Sequence, residues 1–115
     1  MTAGDCLFCK MASGEVDVPK LHDDALCFAI RDINPRAPVH CMVIPKEHLA
    51  TVRELREGHG PLLGRLFTVA NEVAADEGLA ARGYRLAFNV GDDGGQTIYH
   101  IHLHILGGRR VGAEG

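Results

Sequence analysis

Apolar positions along the chain fall into five short runs and one long periodic stretch. Residues Cys6 to Ser13 predict a short helix closed by Gly14. Ala25–Arg31 reads as a strand and is followed by the Asn34-Pro35 turn signal. Val39–Ile44 is a second strand, stopped by Pro45; the short connection makes an antiparallel hairpin the simplest pairing. A short helical turn is expected around Thr51–Glu57. Pro61 then opens the longest element, in which Leu62, Leu63, Leu66, Phe67, Ala70, Val73 and Ala74 recur at helical spacing and Gly78 supplies the stop. Tyr84–Val90 and Ile98–Leu106 are a third and a fourth strand. Strands flanking one long helix predict an α+β domain, the helix packed on a mostly antiparallel sheet.

The last of these runs carries candidate chemistry. From Ile98 to Leu106 the residues alternate, so that Tyr99, Ile101, Leu103 and Ile105 share one face of a strand while His100, His102 and His104 share the other. Successive imidazoles would stand roughly 6.5–7 Å apart. A single histidine on a strand is ordinarily a solvated or satisfied side chain. Three in alternation among strong strand formers point to chemistry: either metal ligation by neutral ring nitrogens, or nucleophilic and acid–base catalysis near neutral pH. The segment Asn89 to Thr97, with Gly91, Gly94 and Gly95, feeds directly into this strand. Glycines let a backbone approach a ligand closely, and exposed N–H groups in such a turn suit phosphate oxygens.

Composition narrows the setting. The 115 residues fit one domain spanning 1–115, and the hydrophobic (46%) and charged (23%) fractions are those of a globular chain able to build a core without disulfides. No run approaches the roughly 18 apolar residues of a membrane span, and the first residues lack the basic-then-apolar order of a signal peptide. A net charge of −3 argues against nonspecific coating of nucleic acid. The expectation is therefore a cytoplasmic protein without membrane or nucleic-acid partners. Of the four cysteines, Cys27 and Cys41 lie in apolar runs and read as small core residues. Cys6 and Cys9 form a Cys-x-x-Cys pair, which is half of a metal-ligand pattern or, alternatively, a redox pair; two histidines from elsewhere would complete a tetrahedral zinc site.

Taken together, His100-Ile-His102-Leu-His104-Ile-Leu, Asp32-Ile-Asn-Pro35 with Ala37-Pro-Val-His40, Val43-Ile-Pro-Lys46 with His48, and Asp93-Gly-Gly-Gln-Thr97 resemble the histidine triad (HIT) family, in its small Hint-like nucleotide-binding branch. The matches run in the family's order from Cys6 to Gly108. The resemblance implies a HIT-like fold: an antiparallel sheet of about five strands, one long helix and a short N-terminal helix. It implies a homodimer paired through the long helix and an edge strand. The implied activity is cleavage at the α-phosphate of a purine nucleoside phosphoramidate, an AMP-amine type of substrate. Alternatives are a dinucleoside polyphosphate hydrolase or nucleotidyltransferase of the same superfamily, and a non-catalytic nucleotide-binding partner protein.

Carried over to this chain, the family's nucleophile is His102, with His104 and His40 supporting the phosphate and relaying protons, and Thr97 near the leaving group. Asn89, Gly94, Gly95 and Gln96 match phosphate contacts. Asp32 matches the ribose-binding carboxylate, its ordinary reading being a turn cap, and Leu7, Phe8, Met11, Ile30 and Ile33 match the walls of a base pocket. The bacterial zinc-containing relatives imply a structural zinc ion on Cys6, Cys9, His48 and His100, which would remove His100 from the proton relay. His22 and His59 are left as surface residues. The Gly107-Gly-Arg-Arg-Val111 end departs from the aromatic, Pro-rich tail of the animal branch, which leaves the leaving-group amine open.

Overall fold

The computed structural model describes residues 5–113. Helix α1 spans Leu7–Ser13; Cys6 caps its start by accepting the Cys9 N–H on sulfur, and Gly14 closes it in the left-handed conformation at φ 85°. Five strands follow: β1 His22–Asp23, β2 Cys27–Arg31, β3 Val39–Pro45, β4 Arg85–Ala87 and β5 Leu103–Gly107. They form one antiparallel sheet in the order β1-β2-β3-β5-β4. Between β3 and β4 lie two 3₁₀ turns, Val52–Glu54 and Glu57–His59, and the long helix α2, Gly60–Asp76. Pro61 sits in the first turn of α2, and beyond its end the Leu79 N–H reaches back 2.9 Å to the Ala74 carbonyl, the closure a left-handed residue such as Gly78 permits.

The sheet buries both faces. On one side, Leu66, Val69, Ala70, Val73 and Ala74 of α2 pack against Cys27, Ala29, Cys41, Val43, Leu103 and Ile105. Cys27 and Cys41 are thus core residues, as expected. On the other, Cys6 and Phe8 beneath α1 pack against Phe28, Ile30, Met42 and Ile44. Alternation along β3 sends Cys41 and Val43 toward α2 and His40, Met42 and Ile44 toward the opposite layer, where His104 lies beside Met42. That second face holds the chemistry.

The structure differs from the sequence pattern at several elements. The strand expected over Tyr84–Val90 is only Arg85–Ala87, and the one expected over Ile98–Leu106 begins at Leu103. The pairing of β3 with β5 continued past Val43↔Leu103 would set Ile101 opposite Pro45, which has no N–H to offer the ladder. The Ile101 N–H instead bonds the Leu49 carbonyl at 2.8 Å, and residues 98–102 leave the sheet. Phe67, expected on the buried helix face, is 40% exposed and packs edge-to-face on Phe88, while Val69 is buried instead. The two-residue β1 is too short for a hydrophobic pattern to mark. The expected surface histidines are half-buried, with His22 2.6 Å from Asp24 and His59 3.7 Å from Glu47.

Candidate active site and metal cluster

Because residues 98–102 leave the sheet, the three triad histidines do not stand in one evenly spaced row. His102 and His104 stay together, ring centroids 4.8 Å apart, and His40 of β3 joins them at 5.1 Å from His104. His100 turns instead toward Cys6, Cys9 and His48. The sequence pattern thus divides into two sites sharing one short segment.

Hydrogen bonds fix the proton positions. A carbonyl oxygen only accepts, so the 2.8 Å contact from His102 Nδ1 to the His100 carbonyl places the proton on Nδ1 and leaves the lone pair on Nε2. The Arg36 N–H donates to His40 Nδ1 at 3.1 Å, so His40 carries its proton on Nε2. His40 Nε2 lies 2.9 Å from His104 Nδ1 and donates to it, with Asp32 Oδ2 at 3.4 Å from the same nitrogen. His104 Nδ1 then accepts, and its Nε2 bears the N–H. This His104 Nε2 is buried and has no hydrogen-bond partner among the described residues, an arrangement that costs about 1–3 kcal/mol unless something arrives to accept the bond.

All three rings are buried. Burial holds His40 and His102 below the ordinary imidazole range, and burial together with the neighbouring His102 and His40 brings His104 down to about 4. At neutral pH the site therefore offers neutral imidazoles: a lone pair on His102 Nε2 and a donor on His104 Nε2.

Both rings open onto a cavity of about 490 Å³. Leu7, Phe8, Met11 and Ile30 make an apolar wall beside α1, Ile33 and Asp32 line another part, and Asn89, Gly95 and Thr97 border it from the glycine-rich loop. Phe8 sets its ring edge-to-face on His102 at 5.1 Å. Asp32 serves two ways: Oδ1 accepts the Asn34 N–H at 2.9 Å as a turn cap, while Oδ2 faces His40. His40 itself stands behind His104 and does not line the cavity.

The glycine-rich loop departs from expectation. The Gly95 and Gln96 N–H groups bond the Asp92 and Gly91 carbonyls, each at 3.0 Å, so these two amides are already taken. Gln96 is buried and clasps the loop, its Oε1 accepting from Gly91 N–H and its Nε2 donating to the Ala50 and Ile98 carbonyls. It does not line the cavity, and neither does Gly94, where a Cβ would fall 2.4 Å from the Val90 carbonyl oxygen. These two residues shape the loop that presents Asn89, Gly95 and Thr97. Val18, Asn34, Arg36, Met42 and Ile98 also line the cavity and were not singled out from sequence. Met42 is marked by its alternation with His40 on β3; Arg36 carries no signal beyond its place between Asp32 and His40.

Cys6, Cys9, His48 and His100 form the second site, their donor atoms all within 4.8 Å of one another. His100 Nδ1 lies 3.2 Å from Cys6 Sγ, 3.5 Å from Cys9 Sγ and 3.2 Å from His48 Nδ1, and Cys9 Sγ is 3.3 Å from His48 Nδ1. Bonds of 2.0–2.3 Å to a tetrahedral zinc ion imply donor separations of about 3.3–3.8 Å. His100 also donates from Nε2 to the Pro45 carbonyl at 2.7 Å, which leaves the Nδ1 lone pair facing the other three donors. The residues fit a four-coordinate ion.

A sheet of this order, flanked by one long helix and bearing a His-x-His-x-His segment beside a cavity, defines a histidine-triad class of domain, and the chain belongs to the HIT domain family, whose profile matches residues 13–111. The chain is 43% identical to the purine nucleoside phosphoramidase of Escherichia coli K12 over 110 residues, covering 96% of this chain and 92% of that protein. It is 46% identical over 107 residues to an uncharacterised HIT-like protein of Synechococcus elongatus, covering 93% of each. Among solved structures, a HIT family hydrolase of Clostridium thermocellum superposes with a TM-score of 0.93 at 44% identity, covering 98% of both chains.

Proposed function

We propose that the protein is a purine nucleoside phosphoramidate hydrolase working through a nucleotidyl-histidine on His102. The observation that carries this reading is the pairing of opposite roles on adjacent rings: a lone pair on His102 Nε2 facing the cavity beside a buried N–H on His104 Nε2 that has no partner among the described residues. A tetrahedral phosphate answers both, its phosphorus taking the lone pair and a non-bridging oxygen taking the N–H. The 43% identity with the Escherichia coli phosphoramidase over most of the chain supports the same reading.

The purine lies in the apolar wall of Leu7, Phe8, Met11, Ile30 and Ile33, and Asp32 accepts from the ribose hydroxyls. His102 Nε2 attacks the α-phosphorus; the P–N bond breaks, its electron pair goes to the amine nitrogen, and that nitrogen leaves with a proton supplied on the open side, where Thr97 carries its hydroxyl. The His102 ring becomes cationic, and the carbonyl of His100 on Nδ1–H steadies it. His104 Nε2–H holds the phosphate oxygen, and the His40 N–H on its other nitrogen keeps that tautomer. Water then attacks phosphorus, the P–Nε2 bond breaks, the electron pair returns to His102, and the nucleoside monophosphate leaves with a proton released to solvent.

Zinc on Cys6, Cys9, His48 and His100 would be closed by four protein ligands and hence structural. It would tie α1, which supplies the base wall, to the segment that carries His102. The chain also reads as a homodimer: β4 is an edge strand with one side unpaired, and Phe67 leaves part of α2 exposed. A reducing, cytoplasmic setting suits four cysteines that form no disulfide among the described residues.

The test is hydrolysis of an adenosine phosphoramidate and of diadenosine polyphosphates by the wild type and His102→Ala. Phosphoramidate cleavage lost in the variant is the expected result; a variant as active as the wild type refutes the assignment, and preference for the polyphosphates replaces the substrate class.

A further inference from the structure

Gln96 is a buried polar side chain that the reaction does not touch, yet it directly precedes Thr97, which is exposed and lines the cavity. Among the described residues nothing bonds the Thr97 hydroxyl, so the backbone alone decides where it stands. One side chain holds that backbone. Gln96 Nε2 donates to the Ile98 carbonyl at 3.1 Å, which closes a small ring with Thr97 as its middle residue. The same nitrogen donates to the Ala50 carbonyl at 2.7 Å, Oε1 accepts from the Gly91 N–H at 3.0 Å, and the Gln96 N–H bonds the Gly91 carbonyl at 3.0 Å.

The amide has no free donor: both of its N–H bonds meet carbonyls, and its oxygen meets an N–H. Turned over, it would set that oxygen against two carbonyls, so its orientation is fixed. Its anchors are fixed as well. The Leu49 carbonyl beside Ala50 takes the Ile101 N–H at 2.8 Å, Gly91 is buried against the Arg53 guanidinium, and Ile98 packs on the cluster that holds Phe8 and Met42. A buried, satisfied amide between three anchored segments is rigid, and that rigidity passes to the one exposed residue inside its ring.

We propose that Gln96 is a positioning residue for departure of the amine, holding Thr97 so that its hydroxyl meets the leaving nitrogen. The inference rests on the hydrolase reading above and on its placing of Thr97 on the leaving-group side. As the P–N bond breaks and its electron pair goes to nitrogen, the hydroxyl passes its proton to that nitrogen and takes one from solvent. A displacement of about 1 Å costs such a transfer heavily, and the clasp is what prevents it.

The experiment compares two substrates: AMP joined through nitrogen to an alkylamine, and the 4-nitrophenyl ester of AMP, whose leaving phenolate needs no proton. The readout is kcat/KM, which covers the steps through loss of the leaving group and excludes hydrolysis of the shared nucleotidyl-histidine. Gln96→Ala should lower kcat/KM for the amide about ten- to a hundredfold and for the ester less than about threefold. Thr97→Ala should show the same split, and Thr97→Ser should restore most of the amide activity. The Gln96→Ala/Thr97→Ala double variant should be no slower than Thr97→Ala alone. Equal losses on both substrates, or amide losses that multiply in the double variant, overturn the proposal and leave Gln96 a purely structural clasp. If Gln96→Ala does not fold, Gln96→Glu enters the same cycle, since it keeps an acceptor for the Gly91 N–H while its carboxylate has no donor for the two carbonyls. Thr97→Ala, at an exposed position, decides without either: no split there also overturns the proposal. A wild type that cleaves neither compound sinks the hydrolase reading, whereas cleavage of both without the split in the variants sinks the role of Gln96 alone.

Discussion

Replacing His104 with Asn separates the titration of this one ring from the rest of the site. Asn keeps an acceptor for the His40 N–H but cannot be protonated. In the folded protein burial and the neighbouring His102 and His40 bring His104 from 6.5 to about 4. The unfolded chain therefore binds a proton to this ring near pH 6.5 and the folded chain only near pH 4, so the ring's contribution to stability is fully present above about 6.5 and is lost as pH falls toward 4. At pH 5 the unfolded ring is almost fully protonated and the folded ring almost not, which corresponds to about 2 kcal/mol relative to pH 7.5. His40 and His102 have lowered values too and act in the same direction, while Asp32 and Arg36 face the same group from the neighbouring loop. These remain in the variant and largely cancel in the comparison. Urea denaturation at pH 7.5 and pH 5.0 measures the effect. His104→Asn should be less stable than the wild type at pH 7.5 yet lose about 2 kcal/mol less between the two pH values. Equal losses would show that His104 titrates normally, and the neutral-donor role assigned to it would fall.

Other expectations follow from the same geometry. Gly94→Ala should lower stability by about 1–3 kcal/mol in a urea melt, because its Cβ would meet the Val90 carbonyl oxygen and only a backbone shift relieves the contact; a midpoint equal to the wild type's would contradict the loop packing. Cys9→Ser should purify with less zinc per chain than the wild type and melt at lower temperature, as measured by atomic emission and calorimetry, whereas a wild type free of zinc after purification without chelators would refute the structural ion. His40→Ala should cut turnover by about ten- to a hundredfold with little change in KM, since it frees His104 to adopt the other tautomer; steady-state kinetics that show a KM effect alone would argue for a binding role.

Much of the fold was legible because its signals are local. The periodicity of Leu66, Ala70, Val73 and Ala74 marks α2, Gly14 and Gly78 mark helix ends, and alternation along Val39–Ile44 separates His40 from Cys41. The division of the triad was not legible from alternation, which kept His100, His102 and His104 on one face. What separates them is a strand ladder that stops at Pro45, a long-range fact about register. Likewise Gln96 looks like a phosphate ligand in a glycine-rich turn, and only the three-dimensional position of the Ala50 and Ile98 carbonyls makes it a clasp. Arg36 is one arginine among nine in the sequence; that it lines the cavity is visible only when every neighbour is in place.

The central claim is that His102 Nε2 bonds to phosphorus. Rapid quenching of the protein with an adenosine phosphoramidate in acid-free denaturant, followed by intact-mass and fragment analysis, tests it most directly. The prediction is a transient mass increase of one adenylyl group, mapped to His102 and lost in His102→Ala. Turnover at full rate with no adduct in the wild type, or an adduct mapped to His104 or His40, would contradict it.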